Sequence, residues 1–360
     1  MGRQGSFPFG IDILTTCDYY AVALQTNTYQ KLSVKIASYE PYSKPIIDHL
    51  ARVKVGHWNP TIRRDAGVAL GLLCSVLPGY ISSDILPFLL DAMQSGDFNA
   101  RHGSLHATSD ICVGLKGRID QIPEETVEKI NGVLGVLETR NSFRGSGGDE
   151  MRSAVCYFIE KMSTAGVHLT DETIKCWQDF INVCIVNPEQ YLGVQNSSVE
   201  ALRAFSQHYY TSSNPAIWSH LVDYYSNRVR HEFTATRVGA TLALSVLPTC
   251  VLAPHTLYLV KTLAPCTKVL SKAETSLAEC RASAVKAITN VQLVCECNCE
   301  TRVQIYRVLL ECLEDYSTDS RGDIGSYVRE AAMACLKKCN QYVMSKGHPT
   351  SKLGFITHLG

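Results

Sequence analysis

Apolar residues recur at i, i+3 and i+4 along most of the chain, and β-branched residues fall inside those runs. Alternation of period two is scarce, so the pattern predicts helices and few strands. One kind of segment keeps returning: a polar turn, a basic residue, then an Ala-rich amphipathic run. It appears as Thr61-Ile-Arg-Arg-Asp-Ala-Gly-Val-Ala-Leu and as Asn99-Ala-Arg-His-Gly-Ser-Leu-His-Ala. Further copies open at Glu150, Ala235, Glu279 and Tyr327, and a weaker one runs from Asn196 to Phe205.

The spacing of these copies defines the architecture. From Arg64 to Arg101 is 37 residues, from Arg101 to Arg152 51, from Arg237 to Arg281 44, and from Arg281 to Arg329 48. Helix-pair repeats of the HEAT and armadillo type run about 40–47 residues. A second helical pattern lies between copies, as in Asp84-Ile-Leu-Pro-Phe-Leu-Leu-Asp-Ala-Met. The expected fold is therefore all-α, an α-solenoid of HEAT/armadillo-like helix pairs. At least six pairs should stack with the Ala-rich helices inside, where small side chains let helices approach closely. The arginines that open the inner helices should stay partly exposed. Repeats are expected over residues 1–116 and a second helical repeat domain over 117–344. The stretch from Gly117 to Asp149 is the least repeat-like internal piece and contains the loop Asn141-Ser-Phe-Arg-Gly-Ser-Gly-Gly-Asp. Residues 345–360 lack helical period and are expected to form a poorly ordered tail.

Charge and composition narrow the function classes. The chain has 360 residues, with 34 Lys+Arg balanced by 34 Asp+Glu. This neutrality gives no long-range attraction for nucleic acid or an acidic membrane. Two uncharged or weakly charged stretches, Ala66–Ser83 and Val238–Val260, invite comparison with membrane spans. Pro78 and Gly79 interrupt the first; Pro248, Pro254 and His255 interrupt the second. Packed helices joined by a turn are expected, and no span. Fifteen cysteines at irregular spacing, behind a start with no apolar leader, predict reduced thiols in a cytoplasmic protein. The Asn196-Ser-Ser acceptor would then be silent.

Four constellations carry possible chemistry. His102, His106 and Asp110 share one helical face at i, i+4, i+8, but the general base of the zinc motif H-E-x-x-H is missing. Cys295, Cys297 and Cys299 are spaced too closely for the usual zinc pair. Gly145-Ser-Gly-Gly precedes a helix, yet Asp149 and Glu150 would repel an anion there. The segment Asp315-Tyr-Ser-Thr-Asp-Ser-Arg-Gly-Asp-Ile-Gly-Ser-Tyr offers oxygens in the first half of an EF-hand pattern. It places Ser320 where the sharp-turn Gly belongs and Ser326 where the bidentate Glu belongs, so calcium is rejected. No nucleophile elbow, dinucleotide fingerprint or kinase set is present. No cofactor, metal site or catalytic residue is expected. The 315–329 segment reads as a partner contact on a rigid scaffold. Its candidate binding residues are Asp315, Tyr316, Asp319, Arg321, Asp323, Tyr327 and Arg329. In the competing structural reading Asp319 or Asp323 caps the next helix and Arg321 pairs within the stack.

Several stretches together resemble the tubulin-folding cofactor D family. They are Gly10-Ile-Asp-Ile-Leu-Thr-Thr-Cys-Asp-Tyr-Tyr, Ile47-Asp-His-Leu with His57-Trp58, Arg101-His-Gly-Ser, and Phe143-Arg-Gly-Ser-Gly-Gly with Met151-Arg-Ser-Ala-Val-Cys. The longest runs from Asp315 to Met333. The resemblance covers about Gly2 to Cys339 in the family's order, and assigns residues 117–344 to the family's C-terminal helical domain. It implies a binding protein acting after the chaperonin, not an enzyme in its own right. The implied partners are β-tubulin, the α/β-tubulin dimer, tubulin cofactors C and E, and an Arf-like small GTPase. In a complex with the cofactors it would stimulate GTP hydrolysis by tubulin, and it would be cytoplasmic and cytoskeleton-associated. Family members are much longer, the tail from Ser345 departs from their continuation, and His106 lies outside their pattern. The competing classes are a generic helical-repeat adaptor without tubulin activity and a metal-dependent hydrolase built on His102, His106 and Asp110.

Overall fold

A computed structural model of the protein describes residues 34–187, 192–269 and 277–346. The Gly10–Val22 stretch and the tail beyond Lys346 lie outside these described residues. Among the described residues, helices α1 (Glu40–His49), α2 (Pro60–Leu73), α3 (Leu86–Ala92), α4 (Phe98–Gly114), α5 (Glu124–Thr139) and α6 (Gly148–Ala165) come first. They are followed by α7 (Asp171–Val186), α8 (Leu192–Tyr209), α9 (Leu221–Ser226) and α10 (Thr234–Leu244). The series ends with α11 (Thr256–Leu263), α12 (Ala278–Val294), α13 (Cys299–Glu311) and α14 (Gly325–Ser345). The only strands among the described residues are β1 (Thr318–Asp319) and β2 (Gly322–Asp323), paired antiparallel between α13 and α14.

Every even-numbered helix from α2 to α14 holds one copy of the repeated segment, the weak copy in α8 included. The chain divides into two compact units, Met1–Ile181 and Asn182–Gly360, with the boundary inside α7. In the first unit α2 packs on α4 and α4 on α6. In the second, α8 packs on α10, α10 on α12 and α12 on α14. The odd-numbered helices cover this ladder: α3 lies against α4 and α5, α11 against α12 and α13, and α13 against α14. The fold is thus an all-α solenoid of helix pairs with the Ala-rich helices inside.

The local signals explain why. Asn59 accepts a hydrogen bond from Thr61 N and precedes Pro60, so capping side chain and pre-set φ start α2 together. Asp97 accepts from Asn99 N and Ala100 N at the start of α4. Both α4 and α12 are buried nearly all round, as helices with a neighbour on each side must be. Small residues set the spacing. A Cβ on Gly103 would lie 1.7 Å from the carbonyl oxygen of Val55, and one on Gly239 2.0 Å from that of Ile185. Only glycine permits either approach.

The structure shifts one repeat by a residue. Arg63, Arg101, Arg237 and Arg281 each occupy the fourth helical position after the cap, so Arg63, not Arg64, is the equivalent in the first copy. At Arg63, Arg101 and Arg237 the guanidinium turns back to the loop that feeds the helix. Arg63 donates to the carbonyls of His57 and Trp58, Arg101 to that of Ser95, and Arg237 to that of His231. Of the arginines at this position Arg101 and Arg237 are partly exposed, as are Arg152 and Arg329 in their copies, whereas Arg63 and Arg281 are buried, against the expectation of partial exposure. The Gly117–Asp149 region also holds more order than its sequence suggested. Helix α5 buries Ile130, Val133, Leu134 and Leu137, and only the stretch after it is a loop, with Asn141, Gly145 and Gly147 at positive φ.

No single helix among the described residues is long and apolar enough to cross a membrane. One pair, Thr234–Leu244 with Thr249–Thr267, passes that test jointly but is bent by 107° at its break. The bend falls at the Pro248 interruption.

Candidate functional site

The 315–329 segment is built around the buried arginine of α12. Arg281 is 2% exposed. Its Nε donates to Asp315 Oδ2 at 2.9 Å and its Nη2 to Ser317 Oγ at 2.6 Å. The Asp315 Oδ1 atom accepts from Ser317 N at 3.1 Å and from Ser317 Oγ at 2.5 Å. Burial alone would push the Asp315 carboxyl up. The hydrogen bonds from Ser317 and Arg281 more than reverse this and hold it below the usual carboxylate range.

Beyond Ser317 the chain turns through the β1–β2 hairpin, with Thr318 opposite Asp323 and Asp319 opposite Gly322. Gly322 closes this turn at φ 104°, a conformation that favours glycine. Asp319 accepts from Arg321 backbone N at 2.7 Å and from Arg321 Nη2 at 2.7 Å, which holds its carboxyl below the usual range. Asp323, one residue before the cap position Ile324, accepts from Ser326 N in the first turn of α14 at 3.2 Å and takes Arg329 Nη2 at 2.6 Å. Arg329 Nη1 reaches the Asp315 carbonyl at 2.6 Å, and the guanidinium carbon stands 4.6 Å from the Tyr316 ring centroid.

The seven residues singled out from the sequence therefore do come together, but in two roles. Asp315, Asp323 and Arg329 are engaged in holding the hairpin to α12 and α14. Tyr316 at 68% exposure and Tyr327 at 58% face solvent, and Arg321, although paired with Asp319, is exposed. Sequence reasoning missed the hairpin and missed Arg281 and Ser317 as the anchor. Arg281 had been visible only as a repeat arginine; its excess burial is a tertiary fact. Chemically, the carboxylates are ion-paired and held ionised, so none is poised as a general acid near neutral pH.

The other constellations resolve as packing. His102 and His106 are buried, with ring centroids 4.7 Å apart, and His106 stands 4.8 Å from Tyr157. His102 Nδ1 accepts from Arg63 Nε at 3.3 Å, and Asp110 accepts from the Tyr157 hydroxyl at 2.7 Å. Burial, with the charges of Arg63 and Arg64 adding to it, lowers His102 to about 4. His106 is lowered by the same desolvation, and burial raises Asp110 to about 6. This is a stacked seam between α2, α4 and α6. Among the described residues no group of three or more His, Cys, Asp or Glu side chains could hold a metal.

None of the fourteen described cysteines is in a disulfide. Cys295 and Cys297 are buried and Cys299 is exposed. Burial pushes the thiols of Cys74, Cys295 and Cys339 up to about 12, which leaves them poor nucleophiles. In the Gly145–Gly148 loop, Gly147 caps α6 at φ 93°, and Asp149 pairs with Arg152 at 3.0 Å across the first turn.

Comparison with known proteins adds the following. No family model matches the chain. Two crystal structures of engineered proteins are similar at 16% identity. One has a TM-score of 0.40 and covers 70% of this chain and 99% of that one. The other has a TM-score of 0.43 and covers 91% and 80%. Among curated proteins, a chaperone from Dictyostelium discoideum matches 165 residues at 30% identity, 44% of this chain and 11% of that protein. In agreement with the motifs read from its residues, the chain thus contains a region similar to tubulin-specific chaperone D and spans about a tenth of that relative's length.

Proposed function

We propose that this chain is a segment of a tubulin-folding cofactor. In this reading it binds β-tubulin and takes part in assembling the α/β-tubulin dimer after the chaperonin. It works as a binding protein in the cytoplasm, at the cytoskeleton, together with cofactors C and E and an Arf-like small GTPase. Any stimulation of GTP hydrolysis belongs to the complex. The observation that carries the reading is the 30% identity to tubulin-specific chaperone D. The hairpin supports it as the contact element: two exposed tyrosines and an exposed arginine on a pinned frame have the composition of an interface hot spot.

The geometry also selects the test. Asp323→Ala would remove an acceptor for the first turn of α14 and the partner of Arg329, so it mixes folding with binding. Arg321→Glu combined with Tyr327→Ala touches only exposed side chains. The wild-type chain should retain purified tubulin in a pull-down, and the double variant should bind about tenfold or more weakly with the same Tm. Failure of the wild-type chain to retain tubulin or the Arf-like GTPase would leave the generic adaptor as the better reading. Normal binding by the double variant would remove the hairpin from the interface.

A further inference from the structure

A cavity of about 250 Å³ lies in the second unit, between the first turns of α10 and α12 and the ends of α9 and α11. Among its ten described lining residues four are cations, Arg230, Arg237, Lys268 and Arg281, and none is a carboxylate. Two of these cations are tied to acids outside the lining: Arg281 to Asp315 at 2.9 Å and Lys268 to Glu311 at 2.7 Å. Arg230 is exposed. Arg237 directs its Nε to the His231 carbonyl. Leu277 and Cys280 supply apolar wall. Cys280 is buried, and burial raises its thiol to about 11, with Glu279 adding to the shift and Arg237 and Arg281 opposing it.

We propose that this cavity binds the carboxylate side chain of an acidic peptide segment from a partner protein. Charge decides the sign of the ligand: every ionised group among the described lining residues is positive. Geometry decides its type, since guanidinium forks match a carboxylate through paired N–H donors. Size decides its extent. Drug-sized ligands occupy roughly 300–1,000 Å³, so this cavity takes one or two side chains rather than a nucleotide. The apolar wall then seats a neighbouring aliphatic residue of the same segment. The proposal is independent of tubulin, and a failed tubulin pull-down does not bear on it.

The test uses the full chain and a fluorescein-labelled peptide, Gly-Leu-Glu-Glu-Leu-Glu-Gly, with its Glu-to-Gln counterpart as control, read by anisotropy. The acidic peptide should bind saturably and the amide peptide about tenfold or more weakly. Arg230→Glu should weaken the acidic peptide by a similar factor while Tm holds, because Arg230 is exposed. Lys268→Gln, at a second exposed position, should weaken it in the same direction and serves if Arg230→Glu does not fold. Equal affinity for the two peptides overturns the proposal, as do the absence of saturable binding and full affinity in both variants. Binding of inorganic phosphate without binding of the peptide overturns it too, and marks a small-anion site instead.

Discussion

Arg63 in the first unit and Arg281 in the second hold the same helical position, and each is 2% exposed. They are satisfied in opposite ways. Arg63 donates to neutral acceptors: His102 Nδ1, Asn99 Oδ1 at 2.6 Å, and the carbonyls of His57 and Trp58. Burial lowers its pKa, with the more distant Glu150 and Asp97 working against that. Arg281 instead binds the carboxylate of Asp315 directly. One repeat motif thus supports two electrostatic solutions. With neutral partners, loss of the arginine strands dipoles. With an ionic partner, loss of either member strands a buried charge, which is much worse. The difference also decides what lies nearby. A neutral seam favours the stacked, uncharged histidines, whereas the ion pair anchors the only hairpin among the described residues.

The largest expected effect tests the ionic side. Asp315→Ala leaves Arg281 buried without its carboxylate and should cost about 3–5 kcal/mol in urea or thermal unfolding. Arg281→Met combined with Asp315→Leu removes both charges and should recover much of that loss. If the double variant is as unstable as the single, charge compensation is not what the pair supplies.

Arg63→Met comes next, at about 1–3 kcal/mol, because it leaves His102, Asn99 and two carbonyls short of a donor but no bare charge. A loss equal to that of Asp315→Ala would break the comparison.

Acid sharpens it further. The histidines have folded pKa values below their unfolded value of 6.5, with His102 at about 4. The unfolded chain therefore takes up their protons first, and their stabilisation is lost as pH falls from about 6.5 towards 4. Asp110 acts in the opposite sense. Its folded pKa of about 6 exceeds the unfolded value of 3.8, so the folded form gains as pH falls across that window. Asp65, also raised to about 6 by burial, acts in the same sense as Asp110, but the two histidines begin to lose stability at higher pH. Wild-type stability should therefore fall modestly between pH 7 and 5, and Asp110→Asn, which still accepts from Tyr157, should fall more steeply. Asp315 is held below 3.8, so its contribution is lost only in stronger acid. A flat pH profile for Asp110→Asn would show that the histidines titrate normally.

The smallest effect belongs to the hairpin surface. Arg321 and Asp319 pair at an exposed site, and Arg321→Ala should leave Tm unchanged within error at any salt concentration. A clear drop would move Arg321 from the solvent face into the frame.

How far the chain was legible follows from these particulars. The repeated arginines and Ala-rich runs marked all seven inner helices, because an interior helix needs small residues at regular spacing wherever it occurs. The same regularity hid the register at Arg63 and Arg64: adjacent arginines are equivalent as composition, and only the cap at Asn59 separates them. Helix α5 was obscured by the glycines around it. The seven residues of the 315–329 segment were found together, but their division into frame and surface depends on Arg281, a residue 34 positions upstream of Asp315.

The sequence by itself determined the helical class, the pair-wise repeat and the set of unusual residues between the last two helices, because each is written in local periodicity and composition. Tertiary structure alone decided which arginine is buried with a carboxylate and which with neutral dipoles. It also decided that His102, His106 and Asp110 form a desolvated seam, and that four cations from separate elements line one cavity. Those outcomes depend on distance and dielectric between residues far apart in the chain, and neither quantity is present in a one-dimensional pattern.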